Sequence, residues 1–136
     1  MATFLLELVT PEKILFSDQV KSVRAPGIQG SFGVMAGHAA LMTALTIGLI
    51  KIEHSNGDIE YVATSGGFLE VNRDKVVVLA DTAERGDDID VTRAENAVAA
   101  ARQHLASGDA VDYEEASQAL NRATNRLKVA QMKNQK

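Results

Sequence analysis

Cysteine and tryptophan are absent from this 136-residue chain, proline occurs only twice, and aromatic residues make up 4% of it. The lack of cysteine removes disulfide scaffolds and thiolate metal sites, and it fits a reducing compartment. Positive charge is not in excess either. Fourteen Lys and Arg against eighteen Asp and Glu leave a formal net charge of -4, which disfavours a nucleic-acid-binding surface. No apolar run approaches the ~20 residues of a membrane span. The opening MATFLLELVT has neither the basic flank nor the long apolar core of a signal peptide. A soluble protein that meets a membrane only through partners is expected. What the chain does have is a hydrophobic share of 46%, enough for a core, in a length ordinary for one compact domain or for a small domain with an appendage.

The hydrophobic period changes between Val76 and Ala94. Val76, Val77, Val78, Leu79 and Ala80 form a short β-branched run that predicts a buried strand, whereas from Val91 onward apolar residues recur at helical spacing. Between them Glu84, Arg85, Gly86, Asp87 and Asp88 make a charged link with one glycine, and Asp90 sits at the position of a helix N-cap. The pattern divides the chain into a β module, residues 1–86, and a helical module, residues 87–136.

In the β module, Phe4–Val9 and Ile14–Phe16 flank a turn at Thr10, Pro11 and Glu12, and Val20–Ala25 is a third candidate strand closed by Pro26 and Gly27. Asn56-Gly57 between Ile47–His54 and Ile59–Ser65 predicts a tight hairpin. Gly66 and Gly67 interrupt the chain before Phe68–Val71, and Asn72, Arg73 and Asp74 turn it into the Val76 run. Short strands with regular turn punctuation indicate a β-sandwich or flattened barrel. Chemistry is sparse here. His38, His54 and His104 are scattered without cysteine, Ser65 lacks the Gly-X-Ser-X-Gly elbow, and the glycines at 27, 30, 33 and 37 lack the Lys-Ser or Lys-Thr pair of a phosphate loop. No catalytic residue and no metal ligand is expected.

In the helical module one seam runs through Val91, Ala94, Val98, Ala101 and Leu105, and a second through Tyr113, Ala116, Leu120, Ala123, Leu127 and Ala130. The interruption at residues 106–111 contains Gly108, and Asp112 with Glu115 resembles a capping box. Two alanine-rich seams joined by a short loop predict an antiparallel helical hairpin. Alanine buries little surface, so the pattern suits both a closed hairpin and separated helices. Folding about Gly108 brings Arg93 level with Arg122 and Arg126, which share one face. Asp90, Glu84 or Glu95 satisfies these guanidiniums as plain salt bridges, or a phosphate does so from solution; spacing alone favours the salt bridges.

Several of these segments together carry a family resemblance. They are Pro26-Gly27 with Gly30, Gly33-Val34, His38 and Leu41; Ser65-Gly66-Gly67-Phe68-Leu69-Glu70-Val71; Val78-Leu79-Ala80-Asp81-Thr82-Ala83-Glu84; and Ile89-Asp90 followed by Arg93-Ala94. Across its whole length the chain resembles the epsilon subunit of rotary F-type ATP synthases. The resemblance implies a ten-stranded β-sandwich followed by the hairpin. It implies a non-catalytic, peripheral subunit on the cytoplasmic face of the bacterial plasma membrane. The sandwich would bind the gamma subunit and the c ring, coupling rotor to ring, with Gly30, Ser31 and His38 in the ring-docking loop. The hairpin would be a mobile inhibitor of ATP hydrolysis whose Arg122, Arg126, Lys128 and Lys133 meet the beta subunits of the alpha/beta hexamer.

No cofactor is required on this resemblance, but ATP is implied as a regulatory ligand. Glu84, Ile89, Asp90, Arg93, Ala94, Arg122 and Arg126 would form its site, with the arginines on the phosphates and the others on the nucleoside side. The chain departs from many relatives at Ser31, where an acidic residue is common, at Ala36 and Ala40, which replace prolines, and at Ala100, which replaces a basic residue. The rival reading is a free-standing β-sandwich adaptor with a helical interaction tail. An ATP-hydrolysing enzyme would need a Gly-x-x-x-x-Gly-Lys-Ser/Thr loop, which the sequence lacks.

Overall fold

A computed structural model describes residues 2–73, 75–106 and 113–132. The sequence-based expectations for Asp74, Ser107–Asp112 and Lys133 therefore lie outside the described residues. The strands are β1 (Phe4–Val9), β2 (Ile14–Gly27), β3 (Gly30–Met35), β4 (Leu41–Leu45), β5 (Gly48–His54), β6 (Ile59–Thr64), β7 (Gly67–Asn72), β8 (Lys75–Ala80) and β9 (Ala83–Arg85). A 3-10 turn at Gly86–Asp88 leads into α1 (Val91–Ala106), and α2 (Tyr113–Met132) follows. The result is the expected β-sandwich with a helical hairpin, with nine strands among the described residues in place of ten.

Strand β2 holds the sandwich together. Its first half pairs with β1 and its second half with β3 and β5. The register with β5 shifts between Val20 and Ser22, and such a bulge bends the strand from one layer toward the other. Val20–Ala25 is thus the continuation of β2, not a third strand, because Ser17, Asp18 and Gln19, which separate it from Phe16 in sequence, are held extended by pairing with Glu7, Leu6 and Leu5 of β1. On the other side β1 pairs in parallel with β8, which continues antiparallel through β7 to β4. The period-two alternation of Phe4, Leu6 and Leu8 and of Val76, Val78 and Ala80 points these residues into a core shared with Val23, Ile50, Ile52 and Leu69.

The Asn56-Gly57 hairpin forms between β5 and β6. Gly57 takes φ +93°, and Asn56 Oδ1 accepts from the Asp58 amide at 3.0 Å. Gly67, at φ +137°, lies so close to β8 that an added Cβ would stand 2.1 Å from the Leu79 carbonyl oxygen. That contact explains the Gly66-Gly67 break in the apolar pattern.

Strand β6 positions the helices. Tyr61, Val62, Ala63 and Thr64 are all buried, because β6 is covered on both faces. Val62 faces the sandwich core, while Tyr61 and Ala63 join Ile89, Ala94, Val129 and Ala130 in a second cluster beneath the hairpin. The predicted seams are buried at Ala94, Val98 and Ala101 and at Ala116, Ala123 and Ala130. Tyr113 departs from its seam and is 61% exposed. As the first residue of α2 it has no earlier turn of that helix for its ring to lie against. Val129, outside the predicted seam, is fully buried against the sandwich.

Candidate functional site

The charged link and the two helices enclose a cleft at the junction of the modules. Asp90 does act as the N-cap: its Oδ1 accepts from the Arg93 amide at 3.1 Å, and its carbonyl accepts from the Ala94 amide. This fixes the first turn of α1 and places the Arg93 side chain on the cleft wall. From α2, Arg122 and Arg126 reach the same wall one turn apart. The sandwich side of the cleft is lined by the β1–β2 turn with Ser65, Thr82, Glu84 and Arg85, and the cleft, which opens to solvent, has a volume of about 660 Å³.

The helix is seated by Asn125, whose Nδ2 donates to the Gly48 carbonyl at 2.7 Å and points toward the Thr64 carbonyl at 3.5 Å. Gly48 and Thr64 are cross-strand partners, so Asn125 closes the end of the β5–β6 ladder. Beside it Arg126 grips Glu84 on β9 through two bonds, Nε to Oε1 at 2.7 Å and Nη2 to Oε2 at 3.3 Å. Such a forked pair is stronger than a single contact. Arg122 donates to Glu115 Oε1 at 3.3 Å within α2, a well-exposed pair that adds little stability. Among the described residues, Arg93 has no carboxylate at ion-pair distance.

The next residue of β9 is held on a different partner. Arg85 bonds Glu60 on β6 through Nε to Oε2 and through Nη2 to Oε1, the latter at 2.9 Å. His54 Nε2 lies 2.9 Å from the same Oε1, and the Arg85 guanidinium sits 5.7 Å over the Phe16 ring. Burial pushes the Glu60 carboxyl up, but the bonds and charges of Arg85 and His54 outweigh it and hold the pKa below the usual value. The bond to Glu60 correspondingly raises the Arg85 pKa. Consecutive residues of β9 therefore tie the link to the sandwich through Arg85 and to the hairpin through Glu84.

The residues singled out from sequence divide between the cleft and its surroundings. Glu84, Arg93, Arg122 and Arg126 line the cleft. Ile89 and Ala94 lie in the cluster beneath the hairpin, and Asp90 caps α1. The Glu84 carboxylate, expected on the nucleoside side, rests on Arg126. Lys128 is exposed, and two positions from Arg126 turn it by ~200° away from the cleft-facing direction. Gly30 and Ser31 begin β3, whereas His38 follows its far end, with Nδ1 2.7 Å from the Ala39 carbonyl oxygen. A six-residue strand rising about 3.3 Å per residue separates them, so they occupy different ends of β3 and not one loop. Asn125, Lys13, Glu60 and His54 were not singled out as partners of this junction. Only their placement by β-sheet register and helix docking reveals it.

The structure defines a small two-module protein in which a β-sandwich carries a docked helical hairpin. Comparison with known proteins specifies which one. Residues 3–86 match the beta-sandwich domain of the ATP synthase delta/epsilon chain, and residues 87–131 match its long alpha-helix domain. The chain is 47% identical over 127 residues to the ATP synthase epsilon chain of Desulforamulus reducens, covering 93% of this chain and 96% of the relative. It is 44% identical over 131 residues to that of Moorella thermoacetica, covering 96% and 98%.

Among solved structures, a chain of the Euglena gracilis mitochondrial ATP synthase OSCP/F1/c-ring assembly superposes with a TM-score of 0.84 at 25% identity, covering 96% of this chain and 82% of that one. A chain of the Tetrahymena thermophila mitochondrial ATP synthase central stalk/c-ring shares the fold, with a TM-score of 0.52 at 18% identity over 62% and 67%. The chain belongs to the ATP synthase delta/epsilon chain family, a non-catalytic subunit of that complex that is peripheral to the membrane. Among the described residues no helix is long and apolar enough to cross a membrane.

Proposed function

We propose that this subunit sits in the central stalk on the cytoplasmic face of a bacterial membrane, binds gamma and the c ring through its sandwich, and restrains ATP hydrolysis through its hairpin, with ATP holding the hairpin closed. The observation that carries the regulatory part is the convergence of Arg93 from α1 and Arg122 and Arg126 from α2 on one cleft whose far wall is the sandwich. An anion bound there touches the closed arrangement and is lost when α2 lifts away, so it stabilises one conformer only. In that conformer Arg122 and Arg126 are engaged. In the open one they, with Lys128 and Lys133, are available to an acidic segment of the beta subunits.

The sandwich offers a surface for the first role. Met42, Phe68 and Leu79 are 66%, 54% and 53% exposed on neighbouring strands. The pairs Ala44↔Phe68 and Phe68↔Leu79 put them on one outer sheet face, and an apolar patch of this kind suits a protein partner. Ile28, 63% exposed beside Gly30 and Ser31, gives the turn at one end of β3 an apolar tip suited to the c ring.

Calorimetric titration of the chain with ATP, repeated on Arg126→Ala, tests the regulatory site. Binding that weakens at least several-fold in the variant supports it. No heat at millimolar ATP, or equal affinity in both proteins, rejects it. A second reading rests on the observed pairs of Arg126 with Glu84 and Arg122 with Glu115: the arginines serve only as internal ion pairs that fasten the hairpin. Glu84→Gln separates the two, since it frees Arg126 for phosphate in the first reading and merely loosens the hairpin in the second.

A further inference from the structure

The arginines occupy one side of the cleft, and the sandwich contributes a cation to the other. Lys13, on the turn between β1 and β2, lines the same cleft as Arg93, Arg122 and Arg126. Its backbone is fixed. The Thr10 amide donates to the Lys13 carbonyl at 2.9 Å, the Lys13 amide donates to Thr10 Oγ1 at 3.3 Å, and the Val9–Ile14 pair brackets the turn. The rim that carries the side chain is therefore preset, while the exposed ammonium stays free to swing.

Most positive charges around the cleft are already engaged by carboxylates: Arg85 by Glu60, Arg126 by Glu84 and Arg122 by Glu115. Lys13 and Arg93 are the cleft cations that, among the described residues, have no ion pair. They stand on different modules, one on the sandwich turn and one on α1. Glu12, Asp81 and Asp88 also line the cleft, and none of them forms an ion pair with either cation. A polyanion in this cleft has unpaired cations from both modules available to it.

We propose that Lys13 is a further phosphate-binding residue, so that a nucleoside triphosphate in the cleft is held by the sandwich and the hairpin at once. This rests on the reading of the cleft as a nucleotide site. It makes occupation of the cleft a clamp between the modules, because release of α2 breaks a contact set that the sandwich shares. The ammonium contributes through charge at an open site, so its effect is modest and falls as ionic strength rises.

The test is calorimetric titration of the full chain with ATP and with adenosine, comparing the unaltered protein with Lys13→Gln, Lys13→Arg and Lys51→Gln. Lys51 is exposed on β5 and does not line the cleft. Lys13→Gln is expected to weaken ATP roughly three- to tenfold at low salt. Lys13→Arg should retain most of the affinity, Lys51→Gln should leave it unchanged, and adenosine should bind all four proteins alike. Equal ATP affinity in the unaltered protein and Lys13→Gln overturns the role of Lys13 while the cleft remains a nucleotide site. A matched loss of adenosine affinity also overturns it, since the turn would then be acting through shape. No ATP binding by the unaltered chain removes both this role and the nucleotide reading.

Discussion

The sandwich and the hairpin are held by different kinds of contact. The sandwich core is built from Leu6, Leu8, Val23, Ile50, Ile52, Leu69 and Val78, each less than 2% exposed. Burying one such side chain stabilises by about 1.5–3 kcal/mol. Between the helices the buried residues are mostly alanines, and against the sandwich α2 offers Val129 and Ala130 with the partly buried Leu127 and Met132, one amide hydrogen bond from Asn125 and one forked ion pair from Arg126. The difference is one of degree and kind: large aliphatic side chains fix the sandwich, whereas a smaller apolar cluster and a few polar bonds seat the hairpin.

The sharpest way to break this contrast is to cut into each region in turn. Leu69→Ala, at the centre of the sandwich, should cost about 2–5 kcal/mol and lower the main thermal transition accordingly. Val129→Ala with Asn125→Ala should instead leave that transition nearly in place while exposing α2 to limited proteolysis. Together these substitutions remove about 2–3 kcal/mol of docking contact. If the double variant lowered the main transition as far as Leu69→Ala does, hairpin and sandwich would be one cooperative core.

A smaller effect is expected at the root of the link. Glu60→Gln should cost about 1 kcal/mol at neutral pH by weakening the hold on Arg85. Because the folded-state pKa of Glu60 lies below its ordinary value, its contribution is complete above the unfolded pKa and is lost as pH falls through the folded one. Denaturant titrations of the two proteins should therefore converge as the pH drops below about 4.5, and parallel curves would show that Glu60 has the same pKa folded and unfolded, so that its ionisation contributes nothing to stability. The smallest effect belongs to Glu115→Ala, whose exposed pair with Arg122 should change stability by less than about 0.5 kcal/mol in the same titrations.

How far the sequence anticipates these regions follows the same contrast. The β5–β6 hairpin, β8, the Asp90 cap and both alanine seams were legible because local chemistry dictates them: Asn-Gly for a tight turn, a β-branched run for a strand, a short acidic side chain for a cap. The unbroken course of β2 was not, because its bend comes from pairing with strands of both layers and leaves no mark in its own residues. The convergence of Arg93, Arg122 and Arg126 followed from helical spacing. The Glu84–Arg126 pair and the Asn125 seat depend on where α2 crosses the sheet, which no periodicity within α2 specifies. Lys13 shares a cleft with the arginines only because the β1–β2 turn lies at the same end of the sandwich as β9, a fact of topology.

Amide hydrogen exchange of the full chain, with and without millimolar ATP, tests most directly the claim that a weakly seated hairpin is carried on a rigid sandwich and closed by an anion. Amides of α1 and α2 should exchange through local opening far more readily than those of β5–β8, and ATP should slow the helices while leaving the strands unchanged. Helices and strands that exchange together in one global event, or helices whose exchange ATP does not alter, would contradict the account.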